Sequence, residues 1–368
     1  MSIIIFIVIL LALIIVHEWG HFITAKRAGI RVDEFGIGFP PRAWTFFRKN
    51  GTDYTLNWLP FGGFVKIFGE DPQDVPPEHP DRARSLISKP WYVQALVLVA
   101  GVGMNVIAAW LLFAVAFMAG VPASADESVG RTVEDPALTV LQVLPDSPAE
   151  AAGLLSGDRI TGVSSDKSAV MDLTAENVIS FVEGHEGDTI LMSIERGEEA
   201  TTIELTPTTG IVPGSPERPA LGISMGTVGT LTLPPHLALY EAGVQTVQYF
   251  GIITGAILAF FVNALTFNAD LSQVAGPVGI VSLVGDAAEF GFVSLITFTA
   301  VISLHLAVIN LLPIPALDGG RLLFVIVEAI RGKAIKPAVA QTANTVGFVF
   351  LIFLMLAVTV SDIAKLFM

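Results

Sequence analysis

Apolar residues run nearly unbroken from Ile3 to about Ala25, and a helix needs about 20 such residues to cross a bilayer. Three further runs reach that length: Trp91 to Gly120, about Phe292 to Leu312, and Val346 to about Phe367. A fifth, Val247 to Phe267, is flanked or interrupted by Gln245, Gln248 and Asn263. Those amides, and a distribution of Lys and Arg that favours an even number of crossings, predict an interfacial or groove-packed helix there, leaving about four transmembrane helices.

Elsewhere the period shortens. Trp44-Thr45-Phe46-Phe47 and Thr52 to Trp58 flank Asn50-Gly51, a pair that favours a tight turn, so the stretch Glu34 to Glu70 predicts a membrane-associated β-hairpin. Its free edge can accept an extended peptide by strand addition, or the hairpin can simply cap a loop. After the second apolar run, Val140 to Leu144 alternates like a strand. A short helix from Pro148 stopped by Gly153, a Gly157-Asp158 turn and a strand opened by Ile160 follow. Further strands fit Thr189 to Glu195 and Thr201 to Leu205. An α+β domain over about residues 125–228 is expected, with no carboxylate-binding loop legible in it.

The whole composition suits a polytopic α-helical membrane protein with a soluble part: 368 residues, 52% hydrophobic, with a mean hydropathy of +0.68. A net charge of -14 argues against nucleic acid as a partner, because phosphate binding needs basic patches. With no cysteine, disulfides and thiolate metal sites are excluded. The first 25 residues hold no Lys or Arg, so the first run lacks the basic start of a signal peptide and reads as a retained span. Lys and Arg gather between the first two spans and between the last two, whereas Val121 to Gly291 is acidic. That asymmetry places the two basic loops in the cytoplasm and the α+β domain outside it.

The candidate chemistry lies in the first span. His17-Glu18-Trp19-Gly20-His21 puts two imidazoles one turn apart on one helix face, able to share a Zn2+, with Glu18 beside them as general base. Ionisable residues in a spanning helix cost about 2.5 to 3.5 kcal/mol each on insertion scales, so three together need a site or partners. A catalytic zinc takes three protein ligands and leaves one position open. Asp318 is the best third candidate: it sits in Asn310-Leu311-Leu312-Pro313-Ile314-Pro315-Ala316-Leu317-Asp318-Gly319-Gly320, where prolines break the third span and glycines allow close backbone approach. His305 is the rival, but it lies more than three helical turns from Asp318 with the prolines between. His79, His185 and His236 fall in polar or acidic surroundings and read as solvated.

The HEWGH motif, the Asn310 to Gly320 block and the PDZ-like insertion between the second and third spans together resemble the site-2 proteases, intramembrane zinc metalloproteases of the bacterial regulator-of-sigma-E type. The likeness covers nearly the whole chain. It implies His17, His21 and Asp318 as zinc ligands, Glu18 as the base that activates water, and Asn310 near the scissile peptide. Gly276-Pro277-Val278-Gly279-Ile280 is similar to a segment the family also carries. Gly276 and Pro277 are expected beside the substrate, in a stretch that Pro277 marks as non-helical. The resemblance further implies residence in the inner membrane and substrates that are single-pass membrane proteins, such as an anti-sigma factor or a signal-peptide remnant. A noncatalytic PDZ-bearing membrane scaffold is the alternative from another class, and a transporter a third. Family members often carry Asn where His305 stands and proline after the glycine corresponding to Gly101. Some carry two PDZ-like units where one is visible here.

Overall fold

A computed structural model describes residues 1–70, 75–76, 78–124, 133–197, 199–211, 214–266, 268 and 274–365. It divides into a helical unit, residues 1–116 with 234–368, and an inserted unit, residues 117–233.

In the helical unit the apolar runs become α1 (Ser2–Arg27), α2 (Trp91–Ala119), α5 (Pro235–Leu265), α7 (Phe292–Leu311) and α9 (Pro337–Lys365). Two shorter helices, α6 (Pro277–Glu289) and α8 (Asp318–Arg331), complete it. Among the described residues five helices are long and apolar enough to cross a membrane, and α5 is one of them. The interfacial or groove-packed helix expected over Val247 to Phe267 is part of this longer helix. The helix begins earlier, at Pro235, and its 31 residues make a rod about 46 Å long. Phe267, and Phe367 at the far end of α9, lie outside the described residues.

The hairpin forms, and it is more than a hairpin. β1 (Val32–Lys49) and β2 (Thr52–Ile67) meet at Asn50-Gly51, where both residues have positive φ, as a two-residue turn between right-twisted strands requires. The register shows both strands bending midway. Glu34 faces Lys66 on one side and Asp53 on the other, while Arg48 faces Asp53 across the turn. Glu34–Ile37 therefore runs between two neighbours, and the segment 63–67 forms an outer edge. Trp44, Phe46, Phe47 and Trp58 are exposed on this sheet.

The inserted unit is a six-stranded sheet in the order β3-β8-β4-β5-β6-β7, comprising β3 (Val121–Ser124), β4 (Glu134–Val143), β5 (Arg159–Ser165), β6 (Ile190–Arg196), β7 (Glu199–Leu205) and β8 (Ile223–Leu231). Helices α3 (Pro148–Ala151) and α4 (Ala175–Glu183) cover it. Alternation along the strands buries Val140, Ile160, Val163, Ile190, Met192 and Ile194 against Val178 and Val182 of α4. Ser147 caps α3 by accepting the Glu150 N–H, and Glu150 returns the favour to the Asp146 N–H. Asp158, almost fully buried, accepts two 2.7 Å bonds from Arg196, a paired charge of the kind an interior tolerates. Between α4 and the start of β8 lies a groove of about 230 Å³ with Ile179, Val182, Leu221 and Ile223 in its lining. Arg218, paired with Glu183, stands at its side. The loop heading this groove, Pro219 to Gly222, escaped the sequence reading because its role depends on what packs opposite it.

Candidate metal centre

On α1 the buried stripe is Leu13, His17, Gly20, His21 and Ala25, the three-and-four spacing of one helix face. Both histidines thus turn inward, toward α2. The approach is close because glycine faces backbone: a Cβ on Gly20 would meet the Ala100 carbonyl oxygen at 2.3 Å, and one on Gly101 would meet His21 Nε2 at 2.4 Å and His17 Cε1 at 2.8 Å. Small residues are what allow membrane helices to cross this tightly.

The third side chain arrives from 301 residues away. Helix α7 ends at Leu311, since Leu312 precedes Pro313 and takes an extended conformation, and a short loop turns back into α8. Gly319 and Gly320 pack against that loop: a Cβ at either would lie 2.2 Å from the carbonyl oxygen of Leu311 or Ile314. Asp318, in the first turn of α8, is thereby set beside α1. Its Oδ2 lies 3.0 Å from His17 Nε2 and 3.2 Å from His21 Nε2, and the two Nε2 atoms are 3.1 Å apart.

These three atoms fit a tetrahedral zinc, whose ligands at 2.0–2.1 Å would stand roughly 3.3 Å from one another. The rings are oriented for it. His21 Nδ1 lies 2.8 Å from the Val97 carbonyl oxygen, to which its N–H donates, leaving Nε2 for a metal. His17 Nδ1 faces the Asn105 amide at 3.4 Å, and Asn105 Oδ1 is buried without a partner. Turning that amide end for end brings Oδ1 onto the Nδ1–H that a histidine ligating through Nε2 must carry. Ser303 of α7 donates to the Asn105 carbonyl oxygen at 2.8 Å, tying a third helix to the pair. Glu18, beside both histidines on α1, lies against β2, its Cγ 3.8 Å from where a Cβ on Gly63 would stand. Gly101 and Asn105 carry no signal of their own in a local pattern; the place to look was the small residue and amide at spacing four on α2.

Residues 5–354 match the model of peptidase family M50. The chain belongs to that family. It is a zinc metalloprotease of the membrane, and the donor set just described suits the ion. Relatives of similar length include the zinc metalloprotease RasP of Geobacillus kaustophilus, 30% identical over 431 residues with 100% of this chain and 99% of that one covered. RasP of Oceanobacillus iheyensis is 30% identical over 451 residues, covering 100% of both. A relative in Clostridium perfringens reaches 34% over 353 residues, 96% of this chain and 95% of its own. The solved PDZ domain of an SdrC-like protein from Listeria monocytogenes is 25% identical, covering 26% of this chain and 92% of that one, with a TM-score of 0.21.

The other candidate residues of this M50 peptidase fall in several places. Asn310 is half-buried in the last turn of α7, and its side-chain amide has no partner among the described residues. His305 stays outside the metal cluster, exposed, its Nδ1 bonded to Val301 of its own helix. The Gly276 to Ile280 segment corrects the sequence reading: Pro277 opens helix α6, because the first helical position needs no N–H and suits the fixed φ of proline. Gly276 is buried against Asp362 and Val358 of α9, where a Cβ would come within 2.8 Å of each. Asp362 accepts the Gly279 N–H at 2.8 Å and so caps α6. Packing accounts for the glycine, while Pro277 is exposed. His79 stacks on Phe68, His185 on Phe181, and His236 is exposed at the start of α5.

Proposed function

We propose that this M50 peptidase is an endopeptidase that cuts the transmembrane segments of single-pass membrane proteins, within the bilayer, as a step of regulated intramembrane proteolysis. One observation carries the reading: three metal-ligating atoms within 3.2 Å of one another, two of them on a membrane-length apolar helix, with a carboxylate alongside that is not needed to hold an ion. In this reading His17, His21 and Asp318 hold Zn2+. When bound, the ion supplies a Lewis acid that polarises the scissile carbonyl and acidifies water. Glu18 takes the proton of the attacking water and returns it to the leaving amine. Asn310 and Pro277, both with accessible surface, contact the substrate chain.

A helical substrate hides its peptide bonds and must be drawn out before it is cut. The edge of β2 suits that task. Because Phe68 directs its N–H back to Arg31, alternation along the strand turns the N–H groups of Gly63, Val65 and Ile67 outward. A substrate strand added along Gly63–Val65 would carry its carbonyls past Glu18. The exposed aromatics of the sheet suit the lipid interface. The basic loops lie in the cytoplasm of an inner-membrane protein and the PDZ-like unit outside. The apolar groove beside β8 fits a peptide segment of an anti-sigma factor or signal-peptide remnant.

The test is a paired substitution in purified full-length protein. Glu18→Gln is expected to keep zinc, by metal analysis, and to lose cleavage of a single-span substrate by at least about 10²-fold. Asp318→Ala is expected to lose both. Cleavage by Glu18→Gln at the wild-type rate would remove Glu18 from its role, and a wild-type protein that cuts no single-span substrate would favour the scaffold.

A further inference from the structure

Asp318 is held from the metal side by two histidines, yet its backbone lies at the start of a short helix after a proline-broken loop, and something must fix that loop. Two contacts from distant elements do so. Arg321 is one turn beyond Asp318, on the same face of α8, and its guanidinium pairs with the Glu70 carboxylate just past the end of β2. On the other side, Asn344 of α9 accepts the N–H of Ala316 at 3.2 Å. Ala316 has φ +80°, a left-handed conformation costly for a residue with a Cβ. Glu70, Arg321 and Asn344 line one cavity of about 190 Å³, together with Gln94, Leu98 and Gln341. Leu98 follows Val97, the acceptor of the His21 ring.

We propose that Glu70 and Arg321 form a positioning pair for the metal centre, with Asn344 fastening the loop from the opposite side. The argument rests on the metalloprotease reading above. The pair closes a ring: Glu18 on α1 lies against Gly63 of β2, the chain runs on past the end of β2 to Glu70, Glu70 grips Arg321, and Arg321 rides on the helix that presents Asp318. Base, strand edge and third ligand are thereby tied together although they come from three separate stretches of chain. Without the pair, Asp318 keeps its two histidine partners but loses the reference that aligns it with Glu18 and the strand edge.

The experiment measures zinc affinity by chelator competition and cleavage kinetics in parallel on full-length protein. Glu70→Gln and Arg321→Gln are each expected to weaken zinc binding and kcat about tenfold, the lower end of what residues supporting metal ligands contribute, with KM changed less than about twofold. In the double variant the loss stays near tenfold, because removing the second member of a broken pair costs nothing more. Arg321→Lys, which keeps the charge and should fold where the glutamine variant does not, is expected to recover part of the loss. For the loop, Asn344→Ala weakens zinc binding, and adding Ala316→Gly restores it by relieving the backbone. The proposal falls if Glu70→Gln leaves zinc affinity and kcat at the wild-type level, or if the two losses multiply to about a hundredfold. Wild-type protein that neither binds zinc nor cleaves would instead overturn the metalloprotease reading itself.

Discussion

Gly101 shows how much a single absent methyl decides. The histidines of α1 reach one point in space because α2 carries no side chain where their rings pass, and a methyl there would overlap His21 Nε2. Forcing a methylene-sized group into a packed site costs about 1–3 kcal/mol, and here the strain falls on the ligating atoms. Gly101→Ala is therefore expected to lower zinc occupancy about tenfold or more, read by metal analysis of the purified protein. Gly103→Ala, at a position with no atom within 4 Å, is expected to leave it unchanged; equal loss in both would place the defect in helix α2 as a whole. At this scale the sequence was partly legible. His17, Glu18 and His21 announced themselves by spacing and by their cost in a membrane. Asn105 and Ser303 did not, because a single amide or hydroxyl in an apolar helix signals a partner without naming it.

Among the elements, the sheet of β1 and β2 carries the sharpest prediction. The turn at Asn50-Gly51 was written in the residues, since both positions need positive φ. The bends were not: they arise where each strand changes neighbours, and they bring Gly63–Val65 beside Glu18. A proline at an outward edge position removes one N–H and leaves the paired side of the strand intact. Gly63→Pro is expected to raise KM for a single-span substrate about tenfold, the equivalent of about 1.4 kcal/mol and close to one hydrogen bond, with zinc content unchanged. A KM equal to wild type would remove strand addition along this edge. Helix α6 teaches the converse lesson. Pro277 looked like a helix breaker because its effect depends on whether a helix precedes or follows it, and only the capping carboxylate of Asp362, 83 residues beyond the Gly279 N–H that it accepts, reveals which.

For the whole molecule, the inserted unit leaves and re-enters the chain at adjacent points: Leu233 N–H bonds the Phe117 carbonyl oxygen at 2.9 Å, and Val121 pairs with Leu231. An insertion whose ends meet imposes little on the helices it interrupts. The extracytoplasmic side proposed for it rests on the distribution of Lys and Arg. A topology reporter fused after Gly210 is expected to behave as extracytoplasmic and one after Lys66 as cytoplasmic; the reverse result would invert the orientation and put the metal centre near the opposite face. Local patterns along the chain determined the apolar helices, the paired imidazoles with Glu18 beside them, the turn chemistry and the strand alternation, because each depends on residues within a few positions of one another. Tertiary structure alone decided that Asp318 completes the cluster across 301 residues, that Gly101 and Asn105 shape it, and that a strand edge runs past Glu18. Such meetings depend on which elements pack together, and packing is a property of shapes in three dimensions that no short-range period encodes.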